Sequence, residues 1–251
     1  MIQKYSYYAG VVLLLLAAPS FAADDIQNLE GTRRLTFGIH LQAYPLKQFD
    51  RKSTTSSTTK PQADYNYSAT TDSPKVGFGP AIEYRITNHI SAGVELLFHR
   101  VQYKQLTETR TGKKDTSTTT DIRPVATLTE TTRSNTWEAP VLARYYGFRE
   151  RGIFSKLYVL GGGSFRRTTN VRTANEISNA DGTTDYNEIA TRPAKANQIG
   201  VVGGFGIRFI DNYRIRIAPE VRITRWNGFA FQGQAVNSVR NDIQGGIGIT
   251  F

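Results

Sequence analysis

Four glutamates, Glu83, Glu95, Glu138 and Glu220, and seven arginines, Arg34, Arg85, Arg144, Arg208, Arg214, Arg216 and Arg222, are the residues with most chemical potential in this chain. Carboxylates and guanidinium groups held together away from water have two uses. Paired, they neutralise and hydrogen-bond one another, the condition under which charge tolerates burial. With arginine in excess, they line a narrow path for small anions. Hydrolysis would need another set: a nucleophile, a histidine and an acid to orient it. Only His40, His89 and His99 are available, and no serine neighbours His99, since Ser91 lies far along the same segment. The chain therefore reads as non-enzymatic. No cofactor or metal is expected either. The histidines are isolated, there is no cysteine, and the acidic residues lack the spacing of a calcium loop. The glycine clusters 161–163 and 203–206 lack the Lys-Ser/Thr and the helix that a phosphate loop requires.

What positions these charges is a period of two. Along 34–44, Leu35, Phe37, Ile39, Leu41 and Ala43 alternate with Arg34, Thr36, Gly38, His40 and Gln42. A strand sends successive side chains to opposite faces, so this one has an oily side and a polar side. The pattern recurs along 76–86, 90–99, 137–146, 157–165, 198–209, 214–224 and 243–251, which makes eight strands. Tyr158 and Leu160 make the polar side of the fifth ambiguous. The glutamates and arginines named above fall on the polar parity.

The connections alternate too. Strands two and three, four and five, and six and seven are joined by short turns. The other four connections, about Leu46–Pro74, Lys104–Thr131, Arg167–Ala196 and Asn227–Val239, read as long polar loops, rich in Ser and Thr, of the kind that stays solvated and mobile. Short turns on one side and long loops on the other predict an all-β fold: an eight-stranded antiparallel up-and-down transmembrane β-barrel, with periplasmic turns and extracellular loops. A soluble sandwich also alternates, but strands of eleven or so residues fit a tilted span of the bilayer better. In this layout His40 faces a packed interior, His89 sits in a tight turn, and His99 approaches the outer rim. Tyr44, Tyr84, Trp137, Tyr145, Phe148, Tyr158, Phe209, Tyr213, Trp226 and Phe251 fall near strand ends, where interface girdles form, with interior packing the alternative for some, Trp226 in particular. Pro80, Pro140 and Pro219 lie mid-strand, where they are expected to mark bulges.

Targeting agrees. Lys4, the apolar run 9–18 and Ser20-Phe21-Ala22 form a signal peptide over 1–22, too short to span a bilayer as a helix. A short periplasmic segment over 23–32 and a barrel over 33–251 follow. Export argues against nucleic acid as the partner of the +10 net charge, and a basic lumen accounts for it better.

Two segments are specific enough to carry a family likeness. Trp137 to Tyr145 (WEAPVLARY) resembles the fourth strand of the bacterial outer-membrane β-barrel domain family, and Ala218 to Trp226 (APEVRITRW) resembles the seventh. The tail from Asn241 is similar to the last. The resemblance implies a barrel of the outer membrane protein A or X type, with diverse roles. Ile247, Ile249 and the terminal Phe251 look like the signal read by the outer-membrane assembly machinery. The expected partners are membrane lipid, that machinery and an unspecified extracellular ligand, and the expected state is a monomer. The function expected is a structural or surface-interacting barrel with a filled lumen, the alternative a narrow anion pore, and, third, a lipid-modifying enzyme.

Overall fold

The computed structural model describes residues 34–44, 48–51, 54–59, 62–71, 76–87, 89–111, 126–146, 156–179, 181–211, 215–233 and 236–251. The expected signal peptide and the 23–32 segment lie outside them, as do Phe148, Tyr213 and Arg214. Strands are the only regular elements among the described residues. In chain order they are β1 (Leu35–Ala43), β2 (Phe49–Arg51), β3 (Thr54–Thr59), β4 (Gln62–Thr71), β5 (Val76–Arg85), β6 (Ile90–Glu95), β7 (Leu97–Thr111) and β8 (Ala126–Tyr146). There follow β9 (Leu157–Asn179), β10 (Thr184–Ala190), β11 (Asn197–Ile207), β12 (Ile210–Asp211), β13 (Arg216–Trp226), β14 (Val236–Ser238) and β15 (Asn241–Thr250).

The wall is a closed ring of antiparallel neighbours: β1, β5, the pair β6 and β7 in line, β8, β9, β11, β13 and β15, eight strands in all. It closes because β1 pairs with β5 on one side and with β15 on the other. Alternation decides which face goes where. Leu35, Phe37, Phe78, Val94, Val141, Val201, Phe205 and Ile223 are exposed on the outer face. His40, Gln42, Glu95, Leu142, Arg222, Thr224 and Gln244 are buried inside. The fifth wall strand, β9, obeys the same parity: Tyr158 and Leu160 are buried, while Val159 and Phe165 are exposed.

The prolines do not mark bulges. Val94 faces Val141 and Leu97 faces Glu138, so Pro140 lies across from Glu95 with no shift of register. Pro80 lies across from Leu96, whose N–H donates to the Pro80 carbonyl at 3.0 Å. Lacking N–H groups, the two prolines flank the single residue at which β6 gives way to β7. The one register shift of the β8–β9 ladder lies elsewhere, between Arg133 and Asn135. There β9 carries an extra residue beside Asn170, whose φ of 51° is left-handed, a conformation that asparagine tolerates better than most residues.

The long loops are the main departure from the sequence reading. β8 has 21 residues and β9 has 23, about twice what a bilayer span needs. Their far halves, with β3, β4, the far part of β7 and β10, continue the sheet past the apolar belt. Thr54–Thr59, expected to be a mobile linker, is a strand paired with β4. Threonine suits a pleated surface, and a strand polar on both faces shows no apolar alternation. Inside this extension Phe49, Val101, Val171, Phe231 and Val236 form an apolar cap over the lumen, joined by the short β2–β14 ladder.

Candidate functional site

The lumen is the place where chemistry-bearing side chains converge. Glu95 stands at its centre, brought there by the inward parity of β6. The Arg222 guanidinium on β13 donates to both of its oxygens, at 2.7 and 2.6 Å. Arg144 on β8 donates to the same carboxylate at 2.7 Å. Arg222 also contacts Glu220, while Arg144 lies 3.9 Å from Glu220 and 3.7 Å from Glu83. Two tyrosines complete the shell: Tyr146 Oη donates to Glu83 at 2.7 Å and Tyr158 Oη to Glu220 at 2.9 Å. Arg216 lies 4.0 Å from Glu83, and the Arg208 guanidinium stacks 4.9 Å above the Tyr146 ring.

A second layer lies toward the cap. Arg166 on β9 donates to Asp242 at 3.0 Å, stands 3.9 Å from Glu138, and covers the Trp226 ring at 3.7 Å. Ser164 donates to Glu138 at 3.2 Å. Gln42 donates to Gln244, and Tyr44 Oη lies 3.0 Å from His99 Nδ1.

This geometry sorts the residues named from sequence. Glu83, Glu95, Glu138, Glu220, Arg144, Arg208, Arg216 and Arg222 all take part. Arg34 is exposed and Arg85 half-buried at strand ends, and neither is an ion-pair partner of the cluster. Arg166 and Asp242 were missed because their strands were ended one residue short. The parity of Ser164 and Gln244, carried one step on, points to both. His99 is not at a rim: it is buried against Tyr44, with ring centroids 4.7 Å apart. Tyr44 and Tyr158, expected in interface girdles, are buried inside, as is Trp226, for which the interior was the alternative, since each carries inward parity. Tyr84, Trp137, Tyr145, Phe209 and Phe251 do face outward. Ile247 and Phe251 also lie on the outer face, and the Phe251 N–H donates to Phe37 at 2.8 Å.

Counting the charges decides what the lumen can do. Among the described residues, Glu83, Glu95, Glu138, Glu220 and Asp242 balance Arg144, Arg166, Arg208, Arg216 and Arg222, five against five. With Arg34 and Arg85 at the strand ends, the described residues of the lumen carry no arginine excess; Arg214, also expected inside, lies outside them. Two voids beside the ion pairs are small, about 30 Å³ beside His40, Glu83 and Arg216 and about 20 Å³ beside His99 and Arg166. Each is room for a water or two. Ligand atoms of His40, Glu95 and Glu220 lie within 4.8 Å of one another, a spacing open to a divalent ion. Arg222 and Arg144 already supply the positive charge there, so a further cation would meet two guanidinium groups at contact distance.

A closed ring with a lipid-compatible outer face and a neutralised, side-chain-filled interior defines a transmembrane β-barrel. Residues 33–228 match the family model described as outer membrane protein beta-barrel domain, and the chain belongs to that family. Among solved structures, the translocator domain of the autotransporter NalP from Neisseria meningitidis is similar at 10% identity, over 100% of this chain and 99% of that one, with a TM-score of 0.28. No curated protein matches.

Proposed function

We propose that this outer-membrane barrel is a structural and surface-interacting protein whose lumen is a plug of ion pairs, not a pore and not an enzyme. The observation that carries this reading is Glu95, which takes both arms of Arg222 and one of Arg144 across the width of the barrel. Paired charges that fill an eight-stranded interior hold the wall together and leave solutes no open path. His99, packed on Tyr44, and His40, set among guanidinium groups, are poorly placed to activate a nucleophile on a lipid. The extension beyond the apolar belt is the part that meets other molecules. We further infer that the chain is exported with residues 1–22 removed, is inserted by the outer-membrane assembly machinery through its last strand, and works as a monomer. Planar-bilayer recording of the purified, refolded protein tests the central claim. The expected trace shows no unitary steps, and reproducible anion-selective steps would overturn it.

A further inference from the structure

The outer face of β7, β8 and β9 changes character abruptly. Phe98, Trp137 and Phe165 close the continuous apolar belt, with the Phe98 and Trp137 rings 4.9 Å apart. Two residues beyond them come Arg100 and Arg167, and farther along Arg133 and Arg172, all exposed. Arg167 pairs in register with Trp137, and Arg100 with Asn135. Arg133 stands directly opposite Arg172 across the ladder. Like charges in that position repel, and one exposed pair, Arg172 with Glu188 at 3.4 Å, answers only part of the charge.

The bulge is what builds this arrangement. Before it, the even-numbered residues Ser164 and Thr168 of β9 are buried and face the lumen. After it, Val171 and Thr173 are buried instead, and Arg172 is turned outward. Were the ladder to run on through Asn170 without the bulge, Arg172 would stand opposite the buried Thr132 and point inward, and the opposed arginines would not exist. A left-handed, non-glycine bulge that creates a repulsive pair at the edge of the apolar belt calls for an anion to sit between them.

We propose that Arg100, Arg133, Arg167 and Arg172 bind the phosphate groups of a phosphorylated lipid in the outer leaflet, with Trp137 and Phe98 against its upper acyl region. This rests on the reading of the barrel as inserted with its extension outward. The height of the patch selects a lipid over a soluble anion, because Arg100 and Arg167 each sit two residues beyond a side chain that needs hydrocarbon, and the Arg133–Arg172 pair continues the charge outward from them. Guanidinium groups suit phosphate geometrically, and each one near an anionic membrane surface adds measurably to the attraction.

The test uses the refolded full-length mature protein in phosphatidylcholine vesicles, with a bis-phosphorylated glycolipid or its dephosphorylated form added. The readout is Trp137 fluorescence quenched by brominated acyl chains, with Trp226 buried in the lumen as the internal reference. The phosphorylated form is expected to bind at least about tenfold more tightly. That preference should vanish in the Arg100→Gln, Arg133→Gln, Arg167→Gln triple variant and fall in Arg133→Gln alone. It should survive Arg192→Gln, Lys195→Gln, Arg240→Gln, which removes equal charge elsewhere. Equal loss in both triple variants would mean diffuse attraction, and equal binding of the two lipids would mean no phosphate site; either overturns the proposal. Loss of the preference on adding inorganic phosphate alone would make it a soluble-anion site and overturn the lipid assignment. A chain that fails to insert, seen as absence of the heat-modifiable gel shift, would instead overturn the barrel reading beneath it.

Discussion

At the scale of single residues, distance separates interior carboxylates that look alike in sequence. Glu95 receives three charge-assisted bonds of 2.6–2.7 Å from two arginines. Glu138 has its nearest guanidinium at 3.9 Å, and that group is already bonded to Asp242 at 3.0 Å. Removing one partner of a well-made buried pair costs about 3–5 kcal/mol, because the remaining charge is left uncompensated. Glu95→Gln is therefore expected to lower the temperature at which the folded gel form collapses by a wide margin. Glu138→Gln leaves Arg166 with Asp242 and removes one of two carboxylates that share a single cation, so its cost should be clearly smaller than that of Glu95→Gln. Equal collapse temperatures for the two variants would contradict this ordering. Sequence parity puts both glutamates on the inward face, and both side chains are buried, but parity holds no distances. The sequence reading also favoured a girdle place for Tyr44, Tyr158 and Trp226, with the interior an alternative for Trp226 in particular, because lying near a strand end weighed more than the face each residue occupies. Parity alone sends all three inward.

At the scale of the elements, glycine positions show where the wall tolerates no side chain. Gly162 of β9 faces inward between Leu142 and Val202, and a Cβ there would meet the Val141 carbonyl oxygen at 2.0 Å. That atom is backbone, so the strands themselves must move. Gly203, on the outer face of β11, has nothing within 4 Å of its Cβ direction. Gly162→Ala is expected to cost about 1–3 kcal/mol, the usual range for overpacking, while Gly203→Ala stays within about 0.5 kcal/mol. Urea unfolding in detergent micelles would separate them, and comparable midpoints would rule out close approach at Gly162. The eight wall strands were legible because each has one lipid face, which writes a period of two into the sequence. The extension was not. β3 reads TTSSTT and β10 reads TDYNEIA. Neither has an oily side, and their pairing partners are distant strands that composition cannot reveal. The bulge at Asn170 was equally hidden, since nothing in the sequence distinguishes it from an ordinary strand asparagine.

At the scale of the whole molecule, backbone hydrogen bonding fixes which end faces which compartment. Hydrocarbon allows no unpaired peptide group, so an open sheet edge must lie beyond the membrane. β10 pairs with β9 alone, and all seven of its residues are exposed. The hairpin that carries it turns through Asp181 and Gly182, whose φ is 84°. Asp181 accepts from the Thr183 N–H at 2.9 Å and from its hydroxyl at 2.6 Å, contacts that hold its carboxyl below the usual pKa. Such a tip is built for water. The opposite end is compact: Ile86 and Thr87 both donate to the Ile90 carbonyl, and the chain turns through His89 directly back into the wall. Both ends of the described barrel, Leu35 and Phe251, lie on that compact side, since Leu35 pairs with Tyr84 and Phe251 bonds to Phe37. Insertion of an outer-membrane barrel with its short turns periplasmic then sets Asp181 outside the cell and His89 inside the envelope. The cysteine-free chain gives a clean background for single substitutions. On intact cells an impermeant maleimide should label Asp181→Cys and spare His89→Cys until the outer membrane is permeabilised. The reverse pattern would invert the barrel, and with it the leaflet that the arginine patch meets. Immediate labelling of both would mean that the apolar belt does not lie in a membrane at all.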